Sequence, residues 1–139
     1  MALINKTTLK SPAKINLHLR VLKKAPNKYH LIESLVSLIS LYDEITINET
    51  AAKKTKVIFL GKFSKTITSH DNSIVTALSS LQNINEKIRN KNFIIKVKKN
   101  IPVGSGLGGG SSNAVTVLLF LIKKFNLNVK KKKFIRNSK

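Results

Sequence analysis

Ile101-Pro102-Val103-Gly104-Ser105-Gly106-Leu107-Gly108-Gly109-Gly110-Ser111-Ser112-Asn113-Ala114 holds five of the six glycines in this 139-residue chain. Glycine loses more backbone entropy on ordering than any other residue, so such density requires a reason. Without Cβ atoms, successive backbone N–H groups can close around an anion. A run of apolar residues follows and predicts a helix that opens at Ser111 or Ser112 and continues to about Phe125, apolar nearly all round and therefore buried. Its free N–H groups and positive dipole end would face the same anion. Upstream, Phe93, Ile95 and Val97 alternate with Lys96 and Lys98, which predicts a strand. Strand, glycine loop and buried helix in that order point to phosphate binding rather than to a flexible loop or hairpin. Ser111 and Ser112 add hydroxyls suited to a phosphate, to Mg²⁺ or to the helix cap.

Two common phosphate loops fail on a specific residue. The Walker A pattern fits Gly104 and Gly109 by spacing, but Gly110 stands where its lysine belongs. The dinucleotide pattern fits Gly104, Gly106 and Gly109, yet it requires an acid about twenty residues later. The last acid anywhere in the sequence is Glu86.

Working outward, Ile15, Leu17, Leu19 and Val21 alternate with Asn16, His18 and Arg20. That pattern predicts a half-buried strand displaying Lys14 and Asn16 on its polar face. Ala25-Pro26-Asn27-Lys28 predicts a turn. Leu31 to Ile39 suits strand or helix, with Asp43-Glu44 expected to break it before a short strand, Ile45 to Ile47. Lys53 to Leu60 suggests another strand ending at Gly61. Asp71-Asn72-Ser73 can cap a helix, because Ile74, Ala77, Leu78 and Leu81 follow at helical spacing. Strands, a helix, a strand, the loop and a helix make an α+β layer rather than regular βαβ units, in one domain.

Composition narrows the class. An apolar share of 42% suits a globular chain, and the lack of cysteine excludes disulfides and fits a reducing cytoplasm. The most apolar run, Ala114 to Ile122, is nine residues including Thr116, about half of what a membrane span needs (about twenty), so a soluble protein is expected. Net charge is +20. Such charge could hold nucleic acid non-specifically. However, the 26 cations include only Arg20, Arg89 and Arg136 as arginines, and lysine, asparagine and isoleucine all have AT-rich codons. Compositional bias therefore explains the charge better than selected phosphate or base readout, for which arginine is favoured.

The loop resembles the central motif of the galactokinase–homoserine kinase–mevalonate kinase–phosphomevalonate kinase superfamily, Pro-x-Gly-x-Gly-Leu-Gly-x-Gly-Ser-Ser. Gly106 to Ala114 is similar to the version found in the diphosphocytidyl-methylerythritol kinase family. Pro12-Ala13-Lys14-Ile15-Asn16-Leu17, Tyr29-His30 and Asp43-Glu44-Ile45 match that family's other N-terminal motifs in order and separation. The resemblance spans residues 11 to about 125 and implies the superfamily's N-terminal domain, a mixed sheet packed against helices.

It further implies ATP with Mg²⁺ as co-substrate and a cytidine diphosphate sugar-alcohol as substrate, phosphorylated on a hydroxyl in non-mevalonate isoprenoid precursor synthesis. By motif, Pro102, Val103, Gly104, Ser105, Gly106, Leu107, Gly108, Gly109, Gly110, Ser111 and Ser112 wrap the ATP phosphates, with Ser112 a possible Mg²⁺ ligand. Lys14 stabilises charge at the reacting groups, Asn16 holds the substrate, and Tyr29 with His30 holds the cytosine ring. Lys28 departs from the family, which prefers glycine before Tyr-His. The family also places a catalytic aspartate a few tens of residues beyond the glycine loop, and its members run to about twice this length. The expectation is therefore a truncated, inactive kinase front half, from a degraded or split gene. Residues 130–139 would be an aberrant basic tail out of frame after the Lys130 to Lys133 tract, and the other half a separate chain. The alternative is a basic nucleotide- or nucleic-acid-binding fragment without catalysis.

Overall fold

The computed structural model describes residues 8–24, 29–67 and 72–129. The expected turn at 25–28, the capping role of Asp71 and the basic tail at 130–139 lie outside these residues.

Strands β1 (Thr8–Lys24) and β2 (His30–Thr50) form a long antiparallel hairpin, and β2 also pairs antiparallel with β4 (Asn92–Lys98). Strand β3 (Lys56–Leu60) adds parallel to β4, giving the sheet order β1-β2-β4-β3. Between β3 and β4 run helix α1 (Ser73–Ile84) and the single turn α2 (Glu86–Arg89). Helix α3 (Gly109–Lys124) follows the glycine loop. The result is the α+β layer expected, with one βαβ crossover inside it.

One face of the sheet carries the core. Ile45, Ile47, Val57, Phe93, Ile95 and Val97 meet Ile74, Leu78 and Leu81 of α1 and Val117 and Leu121 of α3. Each such side chain contributes about 1.5–3 kcal/mol by leaving water. Asn72 caps α1 by accepting from the Ile74 and Val75 N–H groups. Helix α3 stops in a Schellman arrangement: Asn126 takes φ 47° and the Leu127 N–H donates to the Ile122 carbonyl.

Four expectations need correction. Asp43-Glu44 does not break the second strand; β2 runs unbroken through it, because buried donors satisfy the Asp43 carboxylate. The outer strand of the hairpin is not half-buried: Leu17, Leu19 and Val21 are all exposed. Among the described residues no helix packs on that part of the strand, so the alternation makes a strand but covers neither face. Lys53 and Lys54 lie in a bend ahead of β3. Helix α3 begins at Gly109 rather than at Ser111, and it is buried along one face only, with Val115 and Leu119 exposed.

Candidate functional site

Three of the loop glycines are needed for their conformation. Gly104, Gly106 and Gly108 have φ of 72°, 76° and 70°, a region that L side chains rarely enter. Among the described residues nothing crowds Gly104 or Gly106, so there the requirement is conformational. At Gly108 a Cβ would also come within 3.1 Å of the Lys14 Cγ. Gly108 is the N-cap of α3 and offers no side chain, so no side-chain cap takes up the first N–H groups of the helix. Neither Ser111 nor Ser112 caps it. The backbone therefore presents donors and a positive dipole end to whatever the loop encloses.

Strand β1 is stitched to this loop. The Lys14 N–H donates to the Leu107 carbonyl at 2.9 Å, and the Lys14 Nζ donates to Asn16 Oδ1 at 3.0 Å. The Ser112 hydroxyl donates to the Pro12 carbonyl (2.6 Å) and accepts from the Ser11 hydroxyl (3.0 Å), joining residues 101 apart in sequence. The expected strand motif and the expected glycine loop thus meet, with the Lys14 stem lying on Gly108. Among the described residues Lys14 forms no ion pair with a carboxylate.

On the other side of the loop lies a cavity of about 500 Å³. Phe59, Ile67, Asn72, Ser73 and Lys99 line it together with Pro102, Val103 and the loop glycines. The Ser73 hydroxyl donates to the Gly110 carbonyl at 2.8 Å, so α1 and α3 both start at this cavity. Lys14, Asn16, Tyr29 and His30 do not line it.

Tyr29 and His30 are not brought to the loop. His30 pairs with Lys24 at the far end of the hairpin, while Lys14 pairs with Leu38. Ten residues of strand separate the two positions, roughly 30 Å. Tyr29 is 73% exposed.

The sequence offered no functional role for four residues that hold the site together: Asp43, Lys99, Asn113 and Ser73. Asp43, fully buried, accepts from the Asn100 and Ile101 N–H groups at 2.7 and 2.9 Å, from Asn113 Nδ2 at 3.0 Å and from the Lys99 ammonium. An acid inside a strand-forming run was the available signal, because burial of such a group demands partners.

Residues 72–139 match the family model described as the GHMP kinases N terminal domain. A 4-diphosphocytidyl-2-C-methyl-D-erythritol kinase of Pelagibacter ubique (strain HTCC1062) is 48% identical over 128 residues, covering 92% of this chain and 44% of the relative. One of Anaplasma marginale (strain Florida) is 38% identical over 125 residues, covering 90% of this chain and 42% of the relative. Among solved structures, a 4-(cytidine 5'-diphospho)-2C-methyl-D-erythritol kinase aligns with a TM-score of 0.72 at 27% identity, over 96% of this chain and 46% of that one. The Methanococcus jannaschii mevalonate kinase shares the fold, with a TM-score of 0.55 at 16% identity over 98% of this chain and 45% of that one. The chain has the fold of the N-terminal domain of the GHMP kinases, and its similarity to these kinases runs over most of its length. It spans less than half the length of the curated relatives it matches.

Proposed function

We propose that this chain supplies the nucleotide-binding and phosphate-transfer face of an ATP-dependent kinase whose substrate is 4-diphosphocytidyl-2-C-methyl-D-erythritol, in isoprenoid precursor synthesis. The substrate class rests on the names of the relatives. The observation that carries the site is the meeting of Lys14 with the glycine loop through the Leu107 carbonyl and Gly108.

Phosphoryl transfer asks a protein mainly for positioning and for charge where the γ-phosphate oxygens gain it. The residues present suit MgATP: glycines open to close approach, uncapped N–H groups at α3 and a cavity beside them. Pro102 to Ser112 would enclose the phosphates, with backbone N–H groups between Val103 and Ser111 as the donors, because proline has none and the Ser112 N–H already donates to the Gly108 carbonyl. Ser112 has a hydroxyl in reach of a metal that travels with the nucleotide, although that hydroxyl already donates to Pro12. Lys14 stands at the loop edge as the cation for developing charge, and Asn16 beside it would orient the substrate alcohol. The alcohol oxygen bonds to the γ-phosphorus, the bond bridging to ADP breaks, and the alcohol proton leaves to solvent or to a base outside the described residues.

The cytosine contact proposed for Tyr29 and His30 needs the outer hairpin to bend back over the loop. The register shifts at Pro12/Lys14, Asn16/His18 and Val21/Lys23 are where such a hairpin bends. The chain has two tyrosines and no tryptophan, so a Tyr42→Phe variant leaves Tyr29 as the sole strong fluorophore. Cytidine diphosphate should change its emission, and an unchanged spectrum at saturating ligand removes Tyr29 from the pocket.

The primary test is calorimetric titration of the 139-residue chain with MgATP. Turnover is then assayed with the chain mixed with the portion of the Pelagibacter relative that lies beyond the match. Lys14→Met should leave MgATP affinity within a few-fold and lower turnover by about 10²–10⁴. Absence of any MgATP binding by the unsubstituted chain would sink the proposal. Strongly salt-dependent binding of mixed RNA without ATP binding would instead favour a basic nucleic-acid-binding fragment.

A further inference from the structure

We propose that Asp43 is the positioning residue of the phosphate loop, its buried carboxylate fixing both where the loop begins and where α3 starts. The proposal rests on the nucleotide site described above and adds what holds that site in shape. All four donors to Asp43 come from the two ends of the glycine loop. Lys99, Asn100 and Ile101 form its entry, and Asn113, in the first turns of α3, forms its exit. One side chain on β2 thus clamps both ends of the segment that would enclose the phosphates.

A carboxylate beneath an anion site would repel the ligand if it stood alone. Lys99, only 3% exposed, neutralises it and lies under the loop, where a Cβ on Gly109 would come within 3.3 Å of its ammonium nitrogen. Asn113 shows which demand wins locally. Its Nδ2 is turned to Asp43, and its buried Oδ1 is left without a hydrogen-bond partner. An unpaired buried acceptor costs free energy, so the orientation of the amide is dictated by the clamp. Stability alone does not call for such a cluster, because well-packed apolar residues often replace buried ion pairs without loss.

The test is amide hydrogen exchange on the whole chain with Asp43→Asn. That variant keeps an acceptor for the Asn100 and Ile101 N–H groups but turns an NH₂ toward Lys99 and Asn113. Exchange over residues 100–113 should quicken about tenfold or more, a magnitude set by one disrupted buried bond, while residues 45–47 and 93–97 keep their protection. Affinities for MgATP and for inorganic tripolyphosphate should fall together by about the same factor. Exchange that is unchanged, or that rises evenly through the sheet with affinities intact, overturns the proposal and leaves Asp43 a stabilising residue only. If Asp43→Asn does not fold, Asn113→Ala decides. It removes only the exit bond, so faster exchange should be confined to 109–113, and a uniform change or none overturns the proposal. Should the unsubstituted chain bind neither MgATP nor tripolyphosphate, the nucleotide site fails, whereas the exchange pattern still decides whether Asp43 sets the loop.

Discussion

The two halves of one hairpin behave as different materials. In the inner half, Ser11 and Ala13 of β1 and Asp43, Ile45 and Ile47 of β2 are buried, and Ser11 and Asp43 are bonded to the ends of the loop. Farther out, Leu17, Leu19 and Val21 of β1 face solvent, as do Ile32, Leu35 and Val36 of the paired strand β2. The amino-acid types hardly differ between the halves. What differs is whether a helix reaches them. Strand-forming sequence sets backbone conformation, but burial is conferred by the elements that pack on it.

The largest effect should come from setting one β2 residue against another on that same strand. Ile45→Ala removes a fully buried side chain from the core and should cost about 2–5 kcal/mol. Leu35→Ala, at a position 60% exposed, should stay within about 0.5 kcal/mol. Urea denaturation of both variants checks the pair. If Leu35→Ala is as costly as Ile45→Ala, something covers the outer hairpin in solution and the contrast collapses.

A smaller effect separates two glycines in the loop. Ala at Gly106 or Gly108 must adopt a left-handed conformation, at a cost of about 1–2 kcal/mol in either case. Only at Gly108 does the new methyl group meet the Lys14 stem, since Gly106 has open space. Gly108→Ala should therefore shift the Lys14 amide resonance and weaken its bond to Leu107, whereas Gly106→Ala should leave that resonance in place. Equal shifts in both would mean that the loop, not the contact, positions Lys14.

Much of this was legible from the sequence because it was local. The glycine density marked the loop, strict alternation marked β4, and an Asn followed by Ile74, Leu78 and Leu81 marked α1. The start of α3 was misplaced by two residues because hydroxyl side chains are the usual cap signal, whereas Gly108 does this job by conformation. Asp43 predicts a strand break because its intrinsic strand propensity is poor. Its four partners lie 56 to 70 residues away, beyond the range of any local pattern. The gap between Lys14 and Tyr29-His30 was hidden for the same reason. Motif order says nothing about how straight a hairpin runs.

The smallest effect concerns the solvent side of the inner half, where Glu44 pairs with Lys98 at 2.9 Å. The hydrogen bond from Lys98, and then its charge, hold the Glu44 carboxyl below the ordinary glutamate value. A carboxyl with a lowered folded pKa favours the folded state above its unfolded pKa, where it is ionised in both states. That contribution fades as pH falls through the folded pKa, where both states are protonated. The pair is solvent-exposed, so its contribution is small and screened by salt. Glu44→Gln should therefore lower the urea midpoint slightly at pH 7 and low ionic strength, and the difference from the unsubstituted chain should shrink as pH falls through the folded pKa. A difference that persists unchanged at low pH would assign the effect to packing on β2 and β4, making even this exposed face part of what the inner half owes to its neighbours.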